Sequence, residues 1–293
     1  MTHNEPTSSA LSDDEPFLTD NHLPDEDDFV LSEVHMVPSN LSPYTQTTTI
    51  TPFHFPNHNL SINIHHRLAT PLDLVGQQVW NGALLMIDFI LSHTDLFRDK
   101  VVCEIGAGTG IVSVVCGKKE VGCLKVFGTD LDDRGILELC RLNVKDSGVV
   151  DVVEVYPVDL LDDNCPIFIA DQLPSDEARG WPFEAVEEFH TSCSVLLACD
   201  VIYDEPITFA FVRRMPALLT AGRILFLSLE KRIVFTTSQM ETRAPAVDYL
   251  FETIEAFNAD RDELGLAEVK WERVRFEGDT TRGALVELWK FWL

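Results

Sequence analysis

Basic residues are scarce in this chain. The first 66 residues contain no Lys and no Arg but carry ten Asp and Glu. Over all 293 residues, 22 Lys and Arg stand against 48 Asp and Glu, a net charge of −26. Such a surface repels nucleic-acid phosphates unless a local basic groove exists, and the sequence shows none. Direct nucleic-acid binding is therefore not expected. The same field attracts a basic protein segment. Long apolar runs are missing too, so no segment reads as a membrane span. Paired cysteine motifs are also absent. Cys103, Cys116, Cys123, Cys140, Cys165, Cys193 and Cys199 form no CxxC, and no His stands near them at zinc-ligand spacing, so no metal is expected. Most of these thiols lie in apolar runs, where a free Cys behaves as a small hydrophobe. Their odd number and the lack of a signal peptide point to a reducing, intracellular compartment, nucleus or cytoplasm.

What is present suits one domain with a tail. Hydrophobic residues make up 45% of the chain, enough for a buried core. The length fits one domain of roughly 200 to 250 residues. Residues 1–46 are acidic, with the run Asp25-Glu26-Asp27-Asp28, and rich in Pro, Ser, Thr and Asn. That composition cannot bury enough apolar area to offset chain entropy, so a disordered, solubilising tail is expected. Residues 47–78 read as an extension packed on the domain; alternation such as Ile62-Asn63-Ile64 suggests a strand or hairpin. From residue 79 the pattern becomes regular. Strands are predicted over 100–105, 123–129, 152–156, 194–199 and 223–229. They alternate with helices over 79–92, 111–118, 132–146, 205–219 and 247–259. Residues 162–190 are irregular, with a short helix over 182–189. This alternation implies an α/β fold with a mostly parallel sheet covered on both faces. Two last strands, over 269–276 and 284–292, have no helix between them and suggest an antiparallel hairpin on one edge.

The chemistry concentrates in Glu104-Ile105-Gly106-Ala107-Gly108-Thr109-Gly110, which follows an apolar strand and opens a helix. Glycines there let the backbone approach a ligand, and the helix start offers free N–H groups. A dinucleotide fingerprint would need glycine where Ile111 stands. Glu104 precedes the first glycine by two residues. It would repel a pyrophosphate but suits the ammonium of an amino acid, directly or through water. Asp130 ends the second strand, where a carboxylate can accept hydrogen bonds from both hydroxyls of a ribose. Asp132 or Asp133 is assigned the cap of the next helix. Asp159 follows the third strand, as an adenine contact or a plain turn residue. Asp200 and Tyr203 follow the fourth strand, at the carboxyl end of the sheet where ligands sit, with Asp204 as helix cap.

These residues resemble the seven-strand, class I methyltransferases of family 16, the lysine methyltransferase-like proteins. The resemblance runs from about residue 75 to the C-terminus. It rests on Val79-Trp80-Asn81-Gly82-Ala83-Leu84, the 104–110 turn, Thr129-Asp130, Asn143, Val158-Asp159, and Asp200-Val201-Ile202-Tyr203, which matches the family's Asp-x-x-Tyr signature. The segments 229–235 and 287–290 look most like one member of that group. The resemblance implies a Rossmann-like seven-stranded sheet. It also implies S-adenosylmethionine as cofactor, held by the Trp80 region, Glu104, Gly106, Gly108, Gly110, Asp130 and Asp159. The family often shows Trp where Leu160 stands, which leaves adenine stacking weaker or supplied elsewhere. The 162–190 loop, with Trp181, is longer than the family minimum and is a place for a substrate contact.

The expected activity is protein-lysine N-methylation of a non-histone protein, through a basic segment, by a monomer. A lysine must be neutral to attack, and its ordinary pKa is about 10.4. An apolar channel with an acceptor for the amine favours that form. Asp200 and Tyr203 are the candidate catalytic residues on the acceptor side. Glu230 is a lesser candidate, with a surface ion pair to Lys231 or Arg232 as its structural alternative. The rival readings are a small-molecule methyltransferase and a non-catalytic binding module that keeps the fold.

Overall fold

The computed structural model describes residues 29–30, 48–68, 70, 72–169, 179–236, 241–278 and 282–293. Its strands and α-helices, in chain order, are β1 (Phe29–Val30), β2 (Thr49–Phe55), β3 (Leu60–His66), α1 (Asn81–Ser92), β4 (Val101–Ile105), α2 (Ile111–Cys116), β5 (Lys125–Asp130), α3 (Ile136–Asp146), β6 (Val153–Pro157), α4 (Phe183–Ser192), β7 (Cys193–Cys199), α5 (Glu205–Leu218), β8 (Ile224–Glu230), β9 (Val234–Thr236), β10 (Glu241–Arg243), α6 (Pro245–Glu263), β11 (Lys270–Val274) and β12 (Val286–Trp292).

Seven strands form the main sheet in the order β11-β12-β8-β7-β4-β5-β6. Strands β6, β5, β4, β7 and β8 run parallel, and β12 lies antiparallel between β8 and β11. The expected C-terminal hairpin is present, with β11 as its outer strand. Every residue of β4 is buried, because helices cover both faces of the sheet. One apolar layer packs α1, α2 and α3 with the β2–β3 hairpin; the other packs α4, α5 and α6. The chain order reverses direction between β4 and β7, so the cleft beyond their carboxyl ends is the ligand position of such sheets.

The N-terminal extension is a two-stranded antiparallel hairpin, held on α3 by core packing, by a His65–Asp146 contact of 2.8 Å and by Asn143. Fully buried Asn143 accepts from the His65 amide at 2.7 Å and donates to the His65 carbonyl at 2.9 Å and the Thr109 carbonyl at 2.8 Å. The hairpin, α3 and the glycine turn are thus joined through one amide group.

The structure departs from the sequence reading, or adds to it, at three points. Most of the segment expected to be disordered, residues 1–46, lies outside the described residues, but Phe29–Val30 pair antiparallel with β9, which pairs in turn with β10. The sequence reading missed this small sheet, since strands of two and three residues leave no periodicity to read. Neither Asp132 nor Asp133 caps α3: the helix starts at Ile136, behind Gly135 at φ +80°, and no side chain caps it. Trp181, in the segment read as a place for a substrate contact, belongs to the core. Its ring is fully buried and stacked on Tyr156 at 4.5 Å, and its Nε1 donates to the Pro157 carbonyl at 2.7 Å. Asp204 does cap α5, accepting from the Ile207 amide at 3.2 Å.

The β1–β9 pairing involves only two residue pairs, too little to hold the domain together. A chain starting at Thr47 is expected to fold and to bind its small ligand as tightly as the full chain. Circular dichroism and calorimetry check this, and a loss of ligand affinity would contradict the boundary at 46.

Candidate active site

The cleft at the β4–β7 switch is a cavity of about 380 Å³, within the range of small-molecule sites. Glu104, Gly106, Gly108, Asp130, Asp159, Asp200, Tyr203 and Trp80 all line it. Gly110 stands one turn away as the N-terminal residue flanking α2, at φ +77°, where an added Cβ would meet Cys140 Sγ at 2.5 Å.

The glycine turn needs its glycines for two reasons. Gly106 and Gly108 sit at φ +72° and +54°, the left-handed region that disfavours side chains. Space is also lacking: a Cβ on Gly108 would lie 2.6 Å from the Gly76 carbonyl oxygen, and one on Gly106 would lie 2.6 Å from Val201 Cγ1.

Asp130 organises this turn. Its Oδ2 accepts from the Gly108 amide at 2.7 Å and its Oδ1 from the Leu131 amide at 2.7 Å. Each oxygen keeps a lone pair for a further donor, which suits the vicinal hydroxyls of a ribose. Burial raises the Asp130 pKa, against the pull of those two amides.

Glu104 is buried under the turn. One oxygen accepts from both the Ser113 amide, at 2.8 Å, and the Ser113 hydroxyl, at 2.5 Å. Burial pushes its pKa up to about 8, against these Ser113 bonds. A buried acid at the cavity floor is a place for an ammonium group, whose charge would restore the ionised form.

Without a ligand this acid should make stability depend on pH. The folded value, about 8, lies above the ordinary 4.5. Its stabilising contribution is therefore complete below the ordinary value and fades as pH rises through the folded one, by up to about 5 kcal/mol. Glu104→Gln keeps an acceptor for Ser113 and cannot ionise. The melting-temperature difference, variant minus wild type, is expected to grow between pH 5 and 9. Parallel profiles would contradict this reading of Glu104.

On the opposite wall, Asp200, expected to orient a substrate amine, lines the cavity and is also tied to two backbone amides. Its Oδ2 accepts from the Gly82 amide at the start of α1, at 2.9 Å, and its Oδ1 accepts from the Glu230 amide at 2.8 Å. The residue itself sits at φ +53°. A Cβ on Gly82 would clash with Asp200 Oδ2, so the glycine in the Trp80-Asn81-Gly82 segment makes room for this carboxylate. Burial pushes the Asp200 pKa up to about 6, opposed by the two amides and the nearby Arg232 charge.

Tyr203 is 45% exposed at the mouth of the cavity. Burial and the charges of Asp130 and Asp204 raise its pKa. Glu230 lies beside the cavity, not in its lining. Its carboxylate accepts from Asn81 Nδ2 at 3.2 Å. The alternative pair with Lys231 is not made, because Lys231 pairs with buried Glu287 at 2.6 Å. Asp159 Oδ1 accepts from the Leu161 amide at 2.9 Å, a turn contact, while the residue also lines the cavity. Leu160 lines it too, where the family often has Trp. The sequence reading missed Arg134 and Arg232, both of which line the cavity. Arg232 had been considered only as a surface partner for Glu230. All seven Cys are free thiols, and no cluster of His, Cys, Asp or Glu among the described residues could hold a metal.

The strand order, the antiparallel strand beside β8 and the acid-flanked glycine turn define a class I, Rossmann-like methyltransferase domain. Residues 57–166 match the family described as lysine methyltransferase. Methyltransferase-like protein 22 of Mus musculus is 35% identical over 208 residues, 67% of this chain and 49% of its own length. Its counterpart in Homo sapiens is 32% identical over 205 residues, covering 67% and 48%. A protein N-terminal and lysine N-methyltransferase EFM7 of Cryptococcus neoformans is 30% identical over 141 residues, 44% of each chain. The chain spans about half the length of the first two relatives.

The donor of this family, S-adenosylmethionine, fits the residues present. A buried acid lies at the amino-acid end, a carboxylate with a free lone pair on each oxygen lies at the ribose position, and the glycine turn leaves room between them.

Proposed function

We propose that this chain is an S-adenosylmethionine-dependent protein-lysine N-methyltransferase acting on a non-histone protein. The observation that carries the reading is Asp130. Its carboxylate fixes the glycine turn through Gly108 and still offers an acceptor site on each oxygen to the cavity. The match of residues 57–166 to the lysine methyltransferase family supports the acceptor class.

When bound, the donor would supply an activated methyl group on a sulfonium for in-line transfer to the neutral amine. The chain mainly aligns the reactants in a shaped pocket. Glu104 would hold the donor's ammonium, Asp130 its ribose, and the Asp159 turn the adenine side. The Tyr203 ring walls the mouth where an extended side chain would enter, and its hydroxyl is available to the amine. The net charge of −26 favours a basic stretch around the target lysine.

The test is transfer of a radiolabelled methyl group from S-adenosylmethionine to cell extract, with protein and small molecules counted separately and labelled protein hydrolysed to amino acids. Label in N-methyl-lysine is expected. Label only in small molecules would transfer the reading to a metabolite methyltransferase. No label with bound donor would leave a binding module.

A further inference from the structure

We infer that Arg232 is the carboxylate receptor of the cavity and holds the α-carboxylate of the donor's amino-acid end, an inference that rests on the donor reading above. The cavity is lined by five acids, Glu104, Asp130, Asp133, Asp159 and Asp200. They suit the ammonium, sulfonium and hydroxyl groups of the donor. They would repel its carboxylate, which needs a cation. Among the described residues only two guanidinium groups line the cavity, Arg134 and Arg232.

Arg134 stands at the nucleoside end, in the turn after Asp130, and pairs with Asp133 at 3.3 Å. Arg232 stands on the wall that carries Trp80 and Asp200. Its guanidinium lies over the Trp80 ring, 5.2 Å from the centroid, and its charge acts on both Asp200 and Tyr203. Among the described residues it makes no hydrogen bond or ion pair, whereas its neighbour Lys231 is committed to Glu287. Arg232 therefore keeps five donors in a planar fork, fixed in orientation by an aromatic face and open to the cavity. That fork matches a carboxylate in two-point contact.

The experiment is calorimetric titration of the full chain with S-adenosylmethionine and with its decarboxylated analogue, which keeps the ammonium and sulfonium. Wild type is expected to bind S-adenosylmethionine roughly ten- to a hundredfold more tightly, as for a charge-assisted contact. Arg232→Met keeps an apolar contact over Trp80. It should lose about that factor for S-adenosylmethionine and leave the decarboxylated ligand within about twofold of wild type. Arg232→Lys should recover part of the loss. Equal losses for both ligands would mean a structural role and overturn the inference. Wild-type affinity for S-adenosylmethionine in Arg232→Met would also overturn it, and a raised KM for acceptor protein would then give the guanidinium to the acceptor. A folded wild type that binds neither ligand would instead remove the donor reading itself.

Discussion

Gly108→Val is expected to weaken S-adenosylmethionine binding by more than about a hundredfold, close to 3 kcal/mol. The backbone there is left-handed, at φ +54°, which costs a β-branched residue about 1 to 2 kcal/mol before any contact is counted. The side chain would then meet the Gly76 carbonyl oxygen at 2.6 Å. Relief requires the turn to move, and its motion pulls the Gly108 amide off Asp130, where it now donates at 2.7 Å. Asp130, the proposed ribose acceptor, would lose the contact that fixes the turn beside it. Gly148→Val is the control. It carries the same kind of strain at φ +68°, with nothing within 4 Å of an added Cβ. Both variants should lose some thermal stability, and only Gly108→Val should lose the donor. Equal donor affinity in the two variants, by calorimetry on folded protein, would show that the turn does not contact the ligand.

Asp200→Ala is expected to damage both stability and turnover. Two backbone amides, Gly82 and Glu230, would lose their acceptor at once. Unpaired buried amides cost about 1 to 3 kcal/mol each, so a loss of roughly 2 to 4 kcal/mol is expected after partial rescue by water. These amides join the start of α1, the end of β8 and the turn after β7. The Ser228 hydroxyl reinforces the joint by donating to the Gly82 carbonyl at 2.8 Å. Trp80 and Tyr203 take their places in the cavity wall from this joint, so Asp200 is a positioning residue. Turnover per folded molecule should fall on the order of a hundredfold, the scale of a small misplacement of reacting groups, with donor affinity changing less. Asp200→Asn tolerates the left-handed backbone and keeps one acceptor, so it should fall in between. A destabilised Asp200→Ala with wild-type turnover per folded molecule would reduce the residue to a structural clamp.

The fold was largely legible in the sequence because its parallel strands are buried on both faces. β4 reads Val-Val-Cys-Glu-Ile and β7 reads Cys-Ser-Val-Leu-Leu-Ala-Cys, runs that fit little else when bounded by glycine turns and helices. The glycine turn was legible because left-handed backbone and close approach demand a residue type that spacing reveals. Side-chain direction was not legible. Asp200 was located correctly at the mouth of the cleft. Which way its carboxylate turns depends on two amides 118 and 30 residues distant in sequence, and no local pattern records them. The same holds for Arg232, whose role depends on where Trp80 and Glu287 lie. The start of α3 was misplaced for a local reason. Asp132 and Asp133 looked like caps, but the chain first turns through left-handed Arg134 and Gly135.

The most direct test of the account is titration of the full chain with S-adenosylhomocysteine, the product of the proposed transfer. One site per chain is predicted, with a dissociation constant of about 1 to 100 µM, lost in Gly108→Val and weakened in Asp130→Ala by roughly 1.5 to 3 kcal/mol, the worth of its charge-assisted bonds. A folded chain that gives no binding heat and no rise in melting temperature with the ligand in large excess would contradict the account.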